Sequence, residues 1–100
     1  LELPYQARAR IADNLFLQRR RAGYSQEALG ERAMVRASRI GEIENGKAVA
    51  MLDTYVRLAG SLSITLDDLF AGVTWTPAVI EHELDAGYAV EFELEAPADP

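Results

Sequence analysis

The sequence predicts a mainly α fold, five short helices with a short C-terminal β-strand or hairpin extension, on three observations. Residues 7–72 repeat apolar side chains at helical spacing between residues suited to capping. Within them Ser25 to Lys47, SQEALGERAMVRASRIGEIENGK, reads as two short helices joined by a tight turn. After Gly72 the apolar period shortens to two, the repeat of a half-buried strand.

The first helix is expected over Ala7–Ala22, with Ile11, Leu15 and Gln18 on one face and Gly23 as its stop. Phe16 and Leu17 fall outside that stripe, so the N-terminal LELPY segment or the C-terminal tail is expected to cover at least one of them. Ser25 can cap a second helix, Gln26–Met34, whose apolar side is Ala28, Leu29, Ala33 and, just beyond it, Val35. A third, Ala37–Asn45, turns Ile40 and Ile43 inward and ends at Gly46, which can take the left-handed conformation at C′. Leu52–Leu62 forms a fourth through Leu52, Tyr55, Val56, Leu58, Ala59 and Leu62. A fifth starts at Thr65, where Thr-Leu-Asp-Asp resembles a capping box, and ends near Gly72. Helices this short are not stable alone and must pack on one another.

From Tyr88 to Glu95 the chain alternates, with Tyr88, Val90, Phe92 and Leu94 on one side and Ala89, Glu91, Glu93 and Glu95 on the other. Val73–His82 supplies the partner arm of a hairpin around Asp85-Ala86-Gly87, with Pro77 restricting it to an edge. The same stretch also fits a short helix with Thr76 as N-cap, Pro77 at N1 and Gly87 at C′. The hairpin is the favoured reading. The resulting division is 1–72 as the helical domain, with its helix-turn-helix at about 25–46, then 73–96 as the β extension and 97–100 as a frayed tail. The apolar face of Tyr88, Val90, Phe92 and Leu94 can fold back on its own helices, onto Phe16 or Trp75, or pair with its copy in a homodimer, the preferred reading, in which these four are the candidate dimer contacts.

One hundred residues with 49% hydrophobic side chains suit a single small core. The absence of Cys excludes disulfides and thiolate chemistry and points to the cytoplasm. No apolar run is long enough to span a bilayer, and no membrane association is expected. The net charge of −6 is unevenly spread. Residues 1–47 hold nine Arg/Lys against six acids, net +3, while residues 48–100 hold Arg57 against ten acids, net −9. Such polarity can aim a basic face at a polyanion while the acidic half points away. No catalytic constellation emerges, so the chain is read as not an enzyme and no cofactor is expected. His82 has no second His or Cys with which to share a metal, and Glu91, Glu93 and Glu95 read as a solvated acidic face.

The helix-turn-helix, the ENGK at Glu44–Lys47 and the SITLDDLF at Ser63–Phe70 together resemble the Xre family, the Cro and lambda-repressor type of DNA-binding domain. The likeness runs from about Ile11 to Phe70 and implies a five-helix lambda-repressor-like fold. By that resemblance Gln26 grips a DNA phosphate at the N-terminus of its helix, and Asn45 and Lys47 hold phosphates just past the recognition helix. Arg19 and Glu44 match a pair that bridges the first and third helices, the Arg lying near phosphate in some members. With Ile40 and Ile43 inward, the helical period places Ala37, Ser38, Gly41, Glu42 and Asn45 outward toward a major groove, flanked by Arg36 and Arg39. Ser38 can hydrogen-bond several bases, Glu42 can accept from cytosine, Ala37 can touch a thymine methyl and Arg39 can meet a guanine or a phosphate. Arg36, at the helix start, suits a phosphate. The base-reading set is therefore Ala37, Ser38, Arg39, Gly41 and Glu42, and the phosphate set Arg19, Gln26, Arg36, Asn45 and Lys47.

Three positions depart from the family pattern. Met34 stands in the turn where Gly is usual, which implies either a left-handed Met or a different turn. Gly41 lies inside the recognition helix, and Ala50-Met51 replaces a Pro-Ser that often caps the fourth. The expected function is a sequence-specific, double-stranded DNA-binding regulator of a small bacterial operon, a repressor or autoregulator acting on a palindromic operator. The alternative is an antitoxin or other interaction module whose acidic tail binds a protein partner.

Overall fold

The computed structural model describes residues 3–75, all of whose regular elements are helices: α1 (Tyr5–Ala22), α2 (Gln26–Ala33), α3 (Ala37–Glu44), α4 (Leu52–Ser61) and α5 (Leu66–Leu69). The strand or hairpin expected over 73–96, its candidate dimer residues and the frayed tail lie outside the described residues, apart from 73–75, which are irregular.

Local chemistry sets most boundaries. α1 starts two residues earlier than expected because Pro4 sits at its N-cap, its carbonyl accepting from the N–H groups of Ala7 and Arg8, both at 3.1 Å. It ends at Gly23 in the left-handed region, with Arg19, Arg20 and Arg21 in the last turn where the helix dipole favours cations. The Ser25 hydroxyl accepts from the Ala28 N–H at 3.0 Å and caps α2. Thr65 and Asp68 form a complete capping box at the start of α5. Met51 occupies the N-cap of α4 with no side-chain cap, as the missing Pro-Ser implied. α5 stops at Leu69 instead of near Gly72: the Asn14 amide of α1 donates to the Leu69 and Ala71 carbonyls, both at 2.8 Å, holding the chain in a turn there.

The core lies where the five helices meet. Leu15, Leu29, Ile40, Ile43, Leu58 and Leu69 are fully buried, one or two from every helix, each contributing about 2 kcal/mol of transfer free energy. α1 buries Ala7, Ile11, Leu15 and Arg19, a stripe spaced by four. Gln18, expected on that stripe, is only half-buried. Tyr55 on α4 packs edge-on against Phe70, ring centroids 5.1 Å apart, and its hydroxyl accepts from the buried Ala50 N–H at 3.0 Å. Arg57 of α4 donates to the Ala33 carbonyl at 3.0 Å, satisfying the end of α2, and pairs with Asp53 one turn back.

The structure departs from expectation at Leu52 and Val56, while the C-terminal tail expected as one possible cover for Phe16 or Leu17 lies outside the described residues. Leu52 and Val56 were placed on the buried face of α4, yet they are 64% and 49% exposed. Only Tyr55, Leu58 and Ala59, followed by Leu62, turn inward. Leu52, in the first turn, reaches an open groove lined by Leu3, Val49, Phe70 and Val73, and Val56 points off the inward stripe. Phe16 and Leu17 remain about half exposed, since Leu3 packs into that groove by Ile11. Phe16 instead carries the guanidinium groups of Arg19 and Arg20, each 5.4 Å from its ring centroid.

Met34 takes the left-handed conformation, φ 59° and ψ 46°, with its side chain exposed. Its position is therefore the ordinary turn geometry filled by a strained residue, and the Val35 N–H still closes on the Gly30 carbonyl at 2.9 Å. Met34→Gly is expected to raise stability by up to about 1 kcal/mol, read by thermal or denaturant unfolding. A loss of more than that would mean the methionine side chain supports the turn.

Burial raises the Tyr55 phenol above the ordinary tyrosine value, while the Ala50 N–H and the Arg39 charge pull it down. The unfolded chain therefore ionises first. Stability contributed by the neutral phenol is complete below about pH 10 and is lost as pH rises through the raised value. Melting temperatures measured up to about pH 11 should fall. Tyr55→Phe should flatten that fall, at a cost of about 1 kcal/mol at neutral pH for the lost Ala50 hydrogen bond.

Candidate nucleic-acid interface

α3 is tied to α1 by a buried ion pair. α3 turns Ile40 and Ile43 into the core, and its last residue, Glu44, faces α1. There the Arg19 guanidinium grips the carboxylate with both edges: Nε donates to Oε2 at 2.7 Å and Nη2 to Oε1 at 2.9 Å. The two side chains are only 9% and 4% exposed. Nη1 of Arg19 donates to the Tyr24 carbonyl at 2.9 Å, so the same group fastens the α1–α2 link. The hydrogen bond to Glu44 holds the guanidinium above its ordinary range against the opposing effect of burial, with further support from the Glu44 and Glu27 charges.

Gln26, the first residue of α2, joins this pair. Its Nε2 donates to Glu44 Oε1 at 3.1 Å. The amide lies against Gly41 of α3, where an added Cβ would stand 3.5 Å from Oε1 and 3.7 Å from Nε2. α2's N-terminus is thereby set beside the outward face of α3.

On that face Ser38, Glu42 and Asn45 are exposed and Ala37, Arg39 and Gly41 partly so; Arg36 and Lys47 are exposed at the two ends. Arg39 and Glu42 pair with each other, Nη1 to Oε1 at 3.1 Å, and Arg39 Nη2 donates to the Val49 carbonyl at 3.4 Å. Asn45 ends the helix near φ −89°, ψ 0°, and Gly46 at φ 74° turns the chain so that the Lys47 N–H reaches the Glu42 carbonyl at 3.0 Å. Arg19 and Glu44 thus meet in the interior, Gln26 joins them, and the remaining candidates share the outer surface. Sequence reasoning missed the seat that Gly41 gives Gln26 and the Phe16 ring beneath two arginines. The i+4 run Ala7, Ile11, Leu15, Arg19 was the signal available for Arg19's burial.

Among the described residues no helix is long and apolar enough to cross a membrane, and no group of three His, Asp or Glu could hold a metal ion.

Two adjoining helices with the second presented outward, held by caps and a turn residue of positive φ, define a helix-turn-helix domain. The family model described as helix-turn-helix, HTH_3, matches residues 15–69, and the chain belongs to that family. Its structure is similar to an HTH_3 family transcriptional regulator from Vibrio cholerae, with TM-score 0.64 and 25% identity over 67% of this chain. This chain spans 38% of that protein's length. It is also similar to a hypothetical transcription factor, NHTF, from Neisseria, with TM-score 0.62, 28% identity, and coverage of 70% of this chain and 83% of that one. No curated protein matches the sequence at a significant level.

Gly30 and Gly41 should respond oppositely to alanine. At Gly30 a Cβ would overlap the Val35 carbonyl oxygen, a backbone clash that must move the turn. At Gly41 it meets only ordinary contacts with Gln26. Gly41→Ala is expected to stabilise by about 0.5–1 kcal/mol and Gly30→Ala to destabilise by about 2 kcal/mol or more, both read by denaturant unfolding.

Proposed function

We propose that the protein is a sequence-specific double-stranded DNA-binding transcriptional regulator, a repressor or autoregulator that reads the major groove with α3. The observation that carries this reading is the seating of Gln26 over Gly41. It puts the N-terminus of α2 and the exposed face of α3 on one surface, as a phosphate contact beside a groove-reading helix requires. Ser38 and Glu42 are the readers with hydrogen-bonding groups, Ala37 and Gly41 allow close approach, and Arg39 either reads guanine or holds Glu42 in place. Gln26, Arg36, Asn45 and Lys47 take phosphates, while Arg19, its guanidinium committed to Glu44 and the Tyr24 carbonyl, anchors the helices that carry them. The net +3 of residues 1–47 favours such a surface. In this reading the protein works in the cytoplasm as a homodimer on a palindromic operator, its half-sites about one helical turn, roughly 34 Å, apart. Tyr88, Val90, Phe92 and Leu94 are the proposed dimer contacts.

The exposed Met51, Leu52 and Val56 on α4 favour a second reading, in which a protein partner covers that face and DNA binding is one of two activities. The acidic tail of the antitoxin alternative adds to it.

The test separates positioning from reading. On a duplex recovered by selection, Gln26→Ala and Lys47→Ala should weaken binding to matched and scrambled DNA alike by about tenfold, and Lys47→Ala should reduce the salt slope by about one. Ser38→Ala and Glu42→Ala should change which base is preferred, by about 1 kcal/mol or more at one position. Equal, sequence-independent losses from all four would remove the division.

A further inference from the structure

We infer that Glu44 is a positioning residue that aims the Gln26 amide at DNA phosphate; the inference rests on the DNA-binding reading above. A carboxylate only accepts hydrogen bonds, so beside Glu44 the Gln26 amide must present Nε2 and not its carbonyl oxygen. That contact selects one of the two orientations an amide can take. A phosphate oxygen also only accepts, and the second N–H of the same Nε2 is the group that suits it. In the flipped orientation the amide oxygen would face Glu44 Oε1 and, on the outer side, replace that N–H with no matching donor.

The carboxylate can impose this order because it is itself held. Arg19 fixes both oxygens, at 2.7 and 2.9 Å, and Arg19 is in turn fastened to the Tyr24 carbonyl. Gly41 supplies the neighbouring surface, the amide lying within ordinary van der Waals reach of where a Cβ on α3 would stand. Orientation is thus set before DNA arrives, and binding need not freeze a long side chain. The same arrangement couples the three helices, since a shift of α1 or α3 moves the atom to which Gln26 is tied.

Dissociation constants for one selected duplex, measured for the parent, Gln26→Ala, Glu44→Gln and the double variant, test the coupling. Glu44→Gln keeps the shape but offers either a donor or an acceptor, so the amide is no longer forced. Gln26→Ala should weaken binding about tenfold, Glu44→Gln about threefold, and the double variant about tenfold, no more than Gln26→Ala alone. Fully multiplicative losses would overturn the positioning role while leaving Gln26 a phosphate contact. No loss from Gln26→Ala would remove the phosphate assignment and the positioning role together. Because Glu44→Gln can also weaken the fold, the side-chain amide resonances of the DNA-free parent protein give a second measurement. Gln26, assigned by its disappearance in Gln26→Ala, should show a shifted proton pair with slowed exchange relative to Gln6 and Gln18. A Gln26 pair that behaves as those two do would overturn the proposal without reference to any variant's stability.

Discussion

The bidentate contact between Arg19 and Glu44 is the point on which the domain turns. Two charges that are more than nine-tenths withdrawn from water repay their desolvation only if geometry is good and the remaining hydrogen-bonding groups are met. Here they are met, by the Tyr24 carbonyl on one side and the Gln26 amide on the other. The pair adds little net stability over a packed apolar substitute, but its loss on one side alone leaves a buried charge at a cost of about 3–5 kcal/mol. What it adds is specificity of arrangement: an apolar contact would let α3 slide against α1, whereas a two-pronged charge contact admits one register.

Around that lock the apolar core does the bulk work. α1 and α3 converge on Leu15, Ile40 and Ile43, α2 enters through Leu29, and α4 and α5 close the base with Leu58 and Leu69. Because all five helices use their inward faces in this way, α3 is left with an outer surface of small and polar residues. The Arg39–Glu42 pair on it is exposed and worth about 0–1 kcal/mol, so it can be rearranged at little cost.

The parts of this architecture legible in the sequence were those with local causes. Ser25, Thr65 and Gly23 act within one turn of the helix they bound, and each boundary follows from the residue itself. The start at Pro4 is also a local cap, passed over in the sequence, whereas the end at Leu69 depends on the Asn14 amide of α1, which no local window contains. Leu52 and Val56 carry the right period for a buried face, yet periodicity does not say how far the neighbouring helices extend, and they stand where no described helix covers them. Within the site, Arg19 and Glu44 are 25 residues apart and were paired only through family resemblance. The link from Gln26 to Glu44 across Gly41 depends on the crossing of α2 and α3 and could not be read from spacing at all.

The surface formed by the N-terminus of α2 and the outer face of α3 is proposed as the DNA-binding surface. Titration of the labelled protein with a duplex recovered by selection, followed through backbone amide chemical shifts, tests it most directly. Large shifts are expected at Gln26, Arg36 to Glu42, Asn45 and Lys47, with little change along α4. Shifts concentrated instead on Met51, Leu52 and Val56, or no saturable change at moderate salt, would contradict it.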